Sequence, residues 1–157
     1  MAAAIGYISM FIGSIGIFFG FYYLGNDPHT SIRIITSATV GIVGVLAFVR
    51  HVVFHKSDAI RLGWETDRPE FAYEVGFANL AFGLIGMLSS LKPLSPQTQA
   101  IIVLGYAIYL AQAGLLHGYL YLTDGKKSPA RLWRSCLATL LFAGMMSFLS
   151  IRILLIQ

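Results

Sequence analysis

Four histidines and seven acids are all that this chain offers for acid–base or metal chemistry, and they are unevenly spread. Two of the histidines and five of the acids fall between Arg50 and Ala81. Three ionisable residues share one depth. His51 lies about one turn inside the end of an apolar run, Glu74 about one turn inside the start of the next, and His117 just over one turn inside the end of a third, at about 1.5 Å of rise per residue. Two imidazoles and one carboxylate would suit zinc, iron or manganese. Two histidines from different helices could instead serve as axial ligands to a haem. A pocket of Glu, His and Tyr could hold a quinone or another polar head group, or relay protons. His55, Glu70 and Tyr121, with Arg50, form a second layer nearer the polar loop. Against these stands a plain structural role, in which Arg50 neutralises Glu74, His51 bonds a carbonyl and His55 sits among head groups. No nucleophile triad, phosphate loop or Cys-x2-Cys pair is visible, so neither the reaction nor its existence follows from these residues.

The elements that must position them are apolar helices. The chain has 157 residues, 57% hydrophobic and 11% charged, where an ordinary soluble domain has about a quarter charged residues. Five runs are long enough for a hydrocarbon core of about 30 Å, which takes about 20 helical residues. They cover 2–24, 31–56, 69–91, 96–123 and 129–156. Gly25-Asn26-Asp27-Pro28 closes the first, and Ser-Pro opens the fourth and fifth, with Ser as cap and Pro at the first position. The long polar loop is 57–68. No basic residue precedes the first run, so it reads as a permanent span and not a cleaved signal. The expected fold is an all-α integral membrane helical bundle of one domain.

Lys and Arg divide eight to three between the two sides. That bias places the N-terminus, the long loop and the fourth connection of this multi-pass protein in the cytoplasm. A net charge of +4 is too small and too spread for nucleic acid. The single Cys136 makes no internal disulfide, and it and Met145-Met146 read as packing material.

Small residues recur at helical spacing: Gly13, Gly16 and Gly20 on the first span, Gly41 and Gly44 on the second, Gly76, Asn79 and Gly83 on the third. In lipid such residues mark close helix contacts, and an Asn among them marks an interhelical hydrogen bond. The stripe on the second span continues through Phe48, His51 and His55, which turns both histidines inward. On the third span Glu70 and Glu74 lie opposite the glycines, on a face continued by Ala78, Ala81 and Ile85. That span is therefore expected to be central and buried on two sides. Membrane lipids and other transmembrane helices, in a homo-oligomer or a larger complex, are the expected partners. A non-catalytic accessory or structural role is the alternative to a metal-, haem- or quinone-binding site.

Gly63-Trp64, Pro69, Glu74-Val75-Gly76 and Ala78-Asn79-Leu80-Ala81 together resemble the motif of a family of small bacterial multi-span membrane proteins, GW…P…E-V-G-x-A-N-L. The resemblance covers about residues 50 to 90. Gly63 and Trp64 fall in the loop that the charge bias places in the cytoplasm, and the resemblance, which implies a protein of the bacterial inner membrane, carries no established activity. The sequence departs from that motif at Arg68-Pro69-Glu70-Phe71, so Glu70 is not supported by it. A looser likeness to the four-helix proteins of quinone-linked oxidoreductases rests on size and span count alone.

Overall fold

The computed structural model describes residues 1–62, 67–91, 94–123 and 132–156. Gly63, Trp64 and the Ser128-Pro129 pair lie outside them. Within them the chain forms α1 (Ala2–Leu24), α2 (Pro28–Val53), α3 (His55–Leu62), α4 (Glu70–Leu91), α5 (Pro96–Thr123) and α6 (Leu132–Leu154). All but α3 are long and apolar enough to cross a membrane. The architecture is an all-helical bundle that fits a multi-pass membrane protein.

The boundaries differ from the sequence reading at α2. Asp27 does more than end α1: its carboxylate accepts the Thr30 N–H at 3.0 Å and caps α2, with Pro28 at the first helical position. The second span therefore begins at Pro28, three residues early. It ends at Val53, where Phe54 leaves helical geometry at φ −109° and ψ 29°. His55 consequently opens a separate helix, and half of the expected polar loop is α3. At the start of α5 the Ser95 hydroxyl accepts the Thr98 N–H at 3.2 Å, the cap that Ser-Pro implies.

The central element is α2, not α4. In its most apolar window 44% of residues are buried, against 28% in each other span. The face of α4 that carries Ala81 and Ile85 is exposed. Helix α4 is instead pressed onto α2 along its glycine face alone. A Cβ built at Gly44 would lie 2.8 Å from the Asn79 carbonyl oxygen and 2.9 Å from Gly83 Cα, and one at Gly86 2.8 Å from Gly41 N. The two backbones touch, which only small residues permit. Helix α1 docks on α2 in the same manner: Gly16 and Gly20 face Ala38, Thr39 and Ile35, and the Ser31 hydroxyl donates to the Gly20 carbonyl at 2.7 Å. Gly13 meets the Phe142 ring on α6, and Gly76 faces Val52.

Helix α2 is not a uniform α-helix. Residues Thr36–Ile42 and Val49–Val53 wind as π-helix, as do Leu132–Leu137 at the start of α6. In the first of these, Thr36 and Thr39 donate their hydroxyls at 2.7 Å to the carbonyls of Ile32 and Ile35, four residues back. Such back-bonding competes with the regular ladder and loosens it.

The packed core lies at one end. Ile32, Ile35 and Val40 of α2 meet Val103 and Tyr106 of α5, Met146, Leu149 and Ile153 of α6, and Ile17 of α1. The end that carries the N-terminus and Arg50 is built differently, around a cavity.

Candidate functional site

The site begins where α2 unwinds. The π-turn at Val49–Val53 closes with Phe54 N–H on the Val49 carbonyl at 3.1 Å. This wider turn carries an extra residue, and such turns are frequent at functional sites. Here it presents two neighbours, Arg50 and His51, to the same interior space. The break at Phe54 then folds α3 back, and Asp58 arrives beneath them, 1% exposed.

Asp58 is the hub of this end. Its Oδ1 accepts two bonds from Arg61, from Nε at 3.0 Å and from Nη2 at 2.7 Å. Arg50 Nε lies 3.5 Å from the same oxygen. Oδ2 lies 2.7 Å from His51 Nδ1. On the far side of the imidazole, Arg50 Nη2 lies 3.0 Å from Nε2. A guanidinium can only donate, so Nε2 is the acceptor and the ring proton belongs on Nδ1, facing the carboxylate. The imidazole is thus neutral and bridges a cation and an anion. Burial pushes the Asp58 carboxyl up, but the His51 hydrogen bond and the charge of Arg50, with further help from His51 and Arg61, outweigh it and hold the group below the usual carboxylate range.

Above this cluster opens a cavity of about 660 Å³ that all five spanning helices line. Its size lies within the ordinary range for ligand sites. Three guanidinium groups line it, those of Arg50, Arg61 and Arg134, together with His51 and His117. Among the described residues that line it, none is acidic. Much of the rest is apolar, including Met10, Leu110, Leu116, Phe142 and Met145. Arg134 is held by Tyr7: Nη1 lies 3.3 Å from the hydroxyl, and Cζ lies 5.3 Å from the ring centroid.

The floor, toward the packed core, is a polar knot. Tyr106 donates its hydroxyl to Asn79 Oδ1 at 2.7 Å. Asn79 Nδ2 donates to the Tyr109 hydroxyl at 3.0 Å and to the Val75 carbonyl at 2.7 Å. Phe82, Tyr106 and Tyr109 stack with centroids 5.2 to 5.9 Å apart. The side chain of Asn79 therefore joins α4 to α5, while its backbone lies against Gly44.

Of the three residues read as one layer, His51 and His117 both reach the cavity wall, and Glu74 does not. Phe71, Val75 and Asn79, each four apart, form the cavity face of α4. Glu70 and Glu74 stand one residue off that face and are exposed. Among the described residues no three His, Cys, Asp or Glu side chains are gathered so as to hold a metal ion. The His51–Glu74–His117 layer thus does not assemble as a ligand set. Arg50 pairs with Asp58 rather than with Glu74. In the second layer, His55 turns aside, with Nδ1 3.1 Å from the Val52 carbonyl and its ring 5.4 Å from that of Tyr73. Tyr121 is half-buried on α5, off the cavity wall.

The residue that sequence reasoning missed is Asp58. It falls within the expected loop 57–68, yet two signals in the sequence point to a buried helical position. Asp58 and Arg61 have the i, i+3 spacing of a helical ion pair. Asp58, Ala59 and Leu62 also have the spacing of one inward face, and all three are buried.

A family model described as a family of unknown function (DUF6790) matches residues 24–153. The match takes in most of the chain, and the chain belongs to that family. No curated protein and no solved structure matches it.

Proposed function

We propose that this member of DUF6790 binds a single-chain or slender amphiphile with an anionic head group inside the membrane. The head sits among Arg50, Arg61 and Arg134, and the chain lies along Met10, Leu110, Phe142 and Met145. One observation carries this reading: a cavity of about 660 Å³ combines a largely apolar wall with three guanidinium groups and, among the described residues, no acidic lining residue. Buried cations are costly unless paired, so such a site favours an anion. The eight-to-three bias of Lys and Arg supports placing this end on the cytoplasmic side of the bacterial inner membrane. The glycines that suggested a helix-binding accessory role face other helices of the same chain, and their small size already serves this bundle.

The test is thermal unfolding of the protein purified in dodecyl maltoside. Tetradecyl-chain anions, myristate and tetradecyl phosphate, are compared with a neutral tetradecyl maltoside. A ligand at about 100 times its Kd adds about 2.7 kcal/mol, which raises Tm by about 5–10 °C in a chain of this size. The Arg50→Gln/Arg134→Gln variant should lose that rise. An equal rise with the neutral amphiphile, or none with either anion, rejects the reading.

A further inference from the structure

We infer that the head group carries two negative charges on one centre, as a phosphate monoester does, so that the ligand is a lipid phosphate rather than a fatty acid or a phosphodiester lipid. This rests on the anionic-amphiphile reading above and adds the head-group class.

Charge and geometry carry the inference together. Among the described residues, three guanidinium groups reach the cavity wall, against one carboxylate, Asp58, beneath it. That carboxylate is already engaged: Arg61 occupies Oδ1 with two short bonds and His51 faces Oδ2. Arg50 is left with a 3.5 Å approach to Oδ1 and a neutral imidazole nitrogen. The partners of Arg134 among the described residues are the hydroxyl and ring of Tyr7, both neutral. Among these described groups the guanidiniums therefore outnumber the carboxylates by two. A carboxylate or a phosphodiester would neutralise one. A phosphate monoester brings about −1.5 to −2 at neutral pH, with three acceptor oxygens.

The two under-compensated groups also approach successive residues of α1. Arg50 Nη1 lies 3.8 Å from where a Cβ at Gly6 would stand, and Arg134 is held by the adjacent Tyr7. Arg50 from α2 and Arg134 from α6 both line the one cavity, and planar forks supplied by two helices suit a tetrahedral oxyanion, which accepts paired N–H bonds from more than one direction. On binding, Arg50 would exchange the His51 nitrogen for a phosphate oxygen, while Arg61 keeps Asp58 and α3 in place.

Binding constants for tetradecyl phosphate, myristate and inorganic phosphate are measured on the full chain at pH 8, in dodecyl maltoside. Tetradecyl phosphate should bind about tenfold or more tightly than myristate, the order expected for one additional partly solvated charge pair. In the Arg134→Gln variant that ratio should fall toward one. Arg134 has only neutral partners, so this variant should retain its fold, which the unfolding transition without ligand verifies. Equal binding of myristate and tetradecyl phosphate overturns the dianion and leaves the anionic-amphiphile reading standing. A ratio unchanged by Arg134→Gln overturns the pairing of the second charge with that residue. Inorganic phosphate binding as tightly as tetradecyl phosphate keeps the phosphate chemistry but overturns a lipid as its source. Binding of none of the three overturns both readings.

Discussion

Replacing Asp58 by Asn tests the organisation of the charged end directly. The change keeps shape and volume and removes one negative charge. In the wild type that carboxylate is 1% exposed and faces three groups: Arg61 at 2.7 and 3.0 Å, His51 at 2.7 Å and Arg50 at 3.5 Å. Removing one partner of a fully buried ion pair costs about 3–5 kcal/mol. Here the guanidinium side chains are 21% and 22% exposed, and their partial solvation reduces the loss to about 2–3 kcal/mol. For a chain of this size that corresponds to a Tm lower by about 5–10 °C. The damage should also be local. Hydrogen exchange should accelerate in α3, which the carboxylate ties to α2, and stay slow along the Gly44–Gly83 contact. Thermal unfolding in mild detergent and peptide-resolved exchange measure the two effects. A variant whose Tm stays within about 1 °C and whose α3 exchanges as before would refute the hub assigned to Asp58.

The same carboxyl predicts a pH response. Its folded-state pKa is depressed, so its contribution is complete above the usual carboxylate pKa and disappears as pH falls through the lower folded value. The groups facing it are Arg50, His51 and Arg61. Tm should hold from neutral pH to about pH 5 and fall below about pH 4, while Asp58→Asn loses that acid-side step. Gly44→Val should be destabilising by about 1–3 kcal/mol or more, because its Cβ would meet the α4 backbone at 2.8 Å. Gly144→Ala, where a Cβ meets nothing within 4 Å, should be stabilising by about 0.5–1 kcal/mol. Unfolding temperatures that rank the two substitutions oppositely would contradict the packing described. Tyr106→Phe removes the 2.7 Å bond to Asn79 and leaves that buried amide oxygen short of a donor, at a cost of about 1–3 kcal/mol. A stability equal to wild type in chemical or thermal unfolding would count against the polar floor.

Hydropathy and length made the spans legible, because a bilayer demands long apolar runs whatever the packing. The helix faces were less so. His51 lies on the continued stripe of the second span and His117 at the same depth on the fourth, and both reach the cavity wall. Glu74 was chosen by depth, which is a sound coordinate along a helix and says nothing of rotation about it. That rotation is fixed by Gly76, Asn79 and Gly83 against α2, and it turns Glu74 outward. Asp58 was hidden for a different reason. Its place depends on the break at Phe54 and the return of α3, which are tertiary events with no hydropathy signature. The π-turns also shift the register of α2, so a strict step of three and four residues cannot follow its face from end to end.

The uneven distribution of packing has a mechanical consequence. With its apolar cluster at one end and its cavity at the other, the bundle is a pair of jaws on a fulcrum. Helices α5 and α6 pack closely on each other and form one arm. From Tyr106 to His117 is about 16 Å of helix at 1.5 Å per residue. A tilt of about 5° about the Tyr106 level would shift His117 by about 1.5 Å over that lever arm, with little rearrangement among Ile35, Val103 and Leu149. Such a tilt would change the width of the cavity between α5 and the Arg50–Asp58 cluster by rocking one arm rather than by repacking the core.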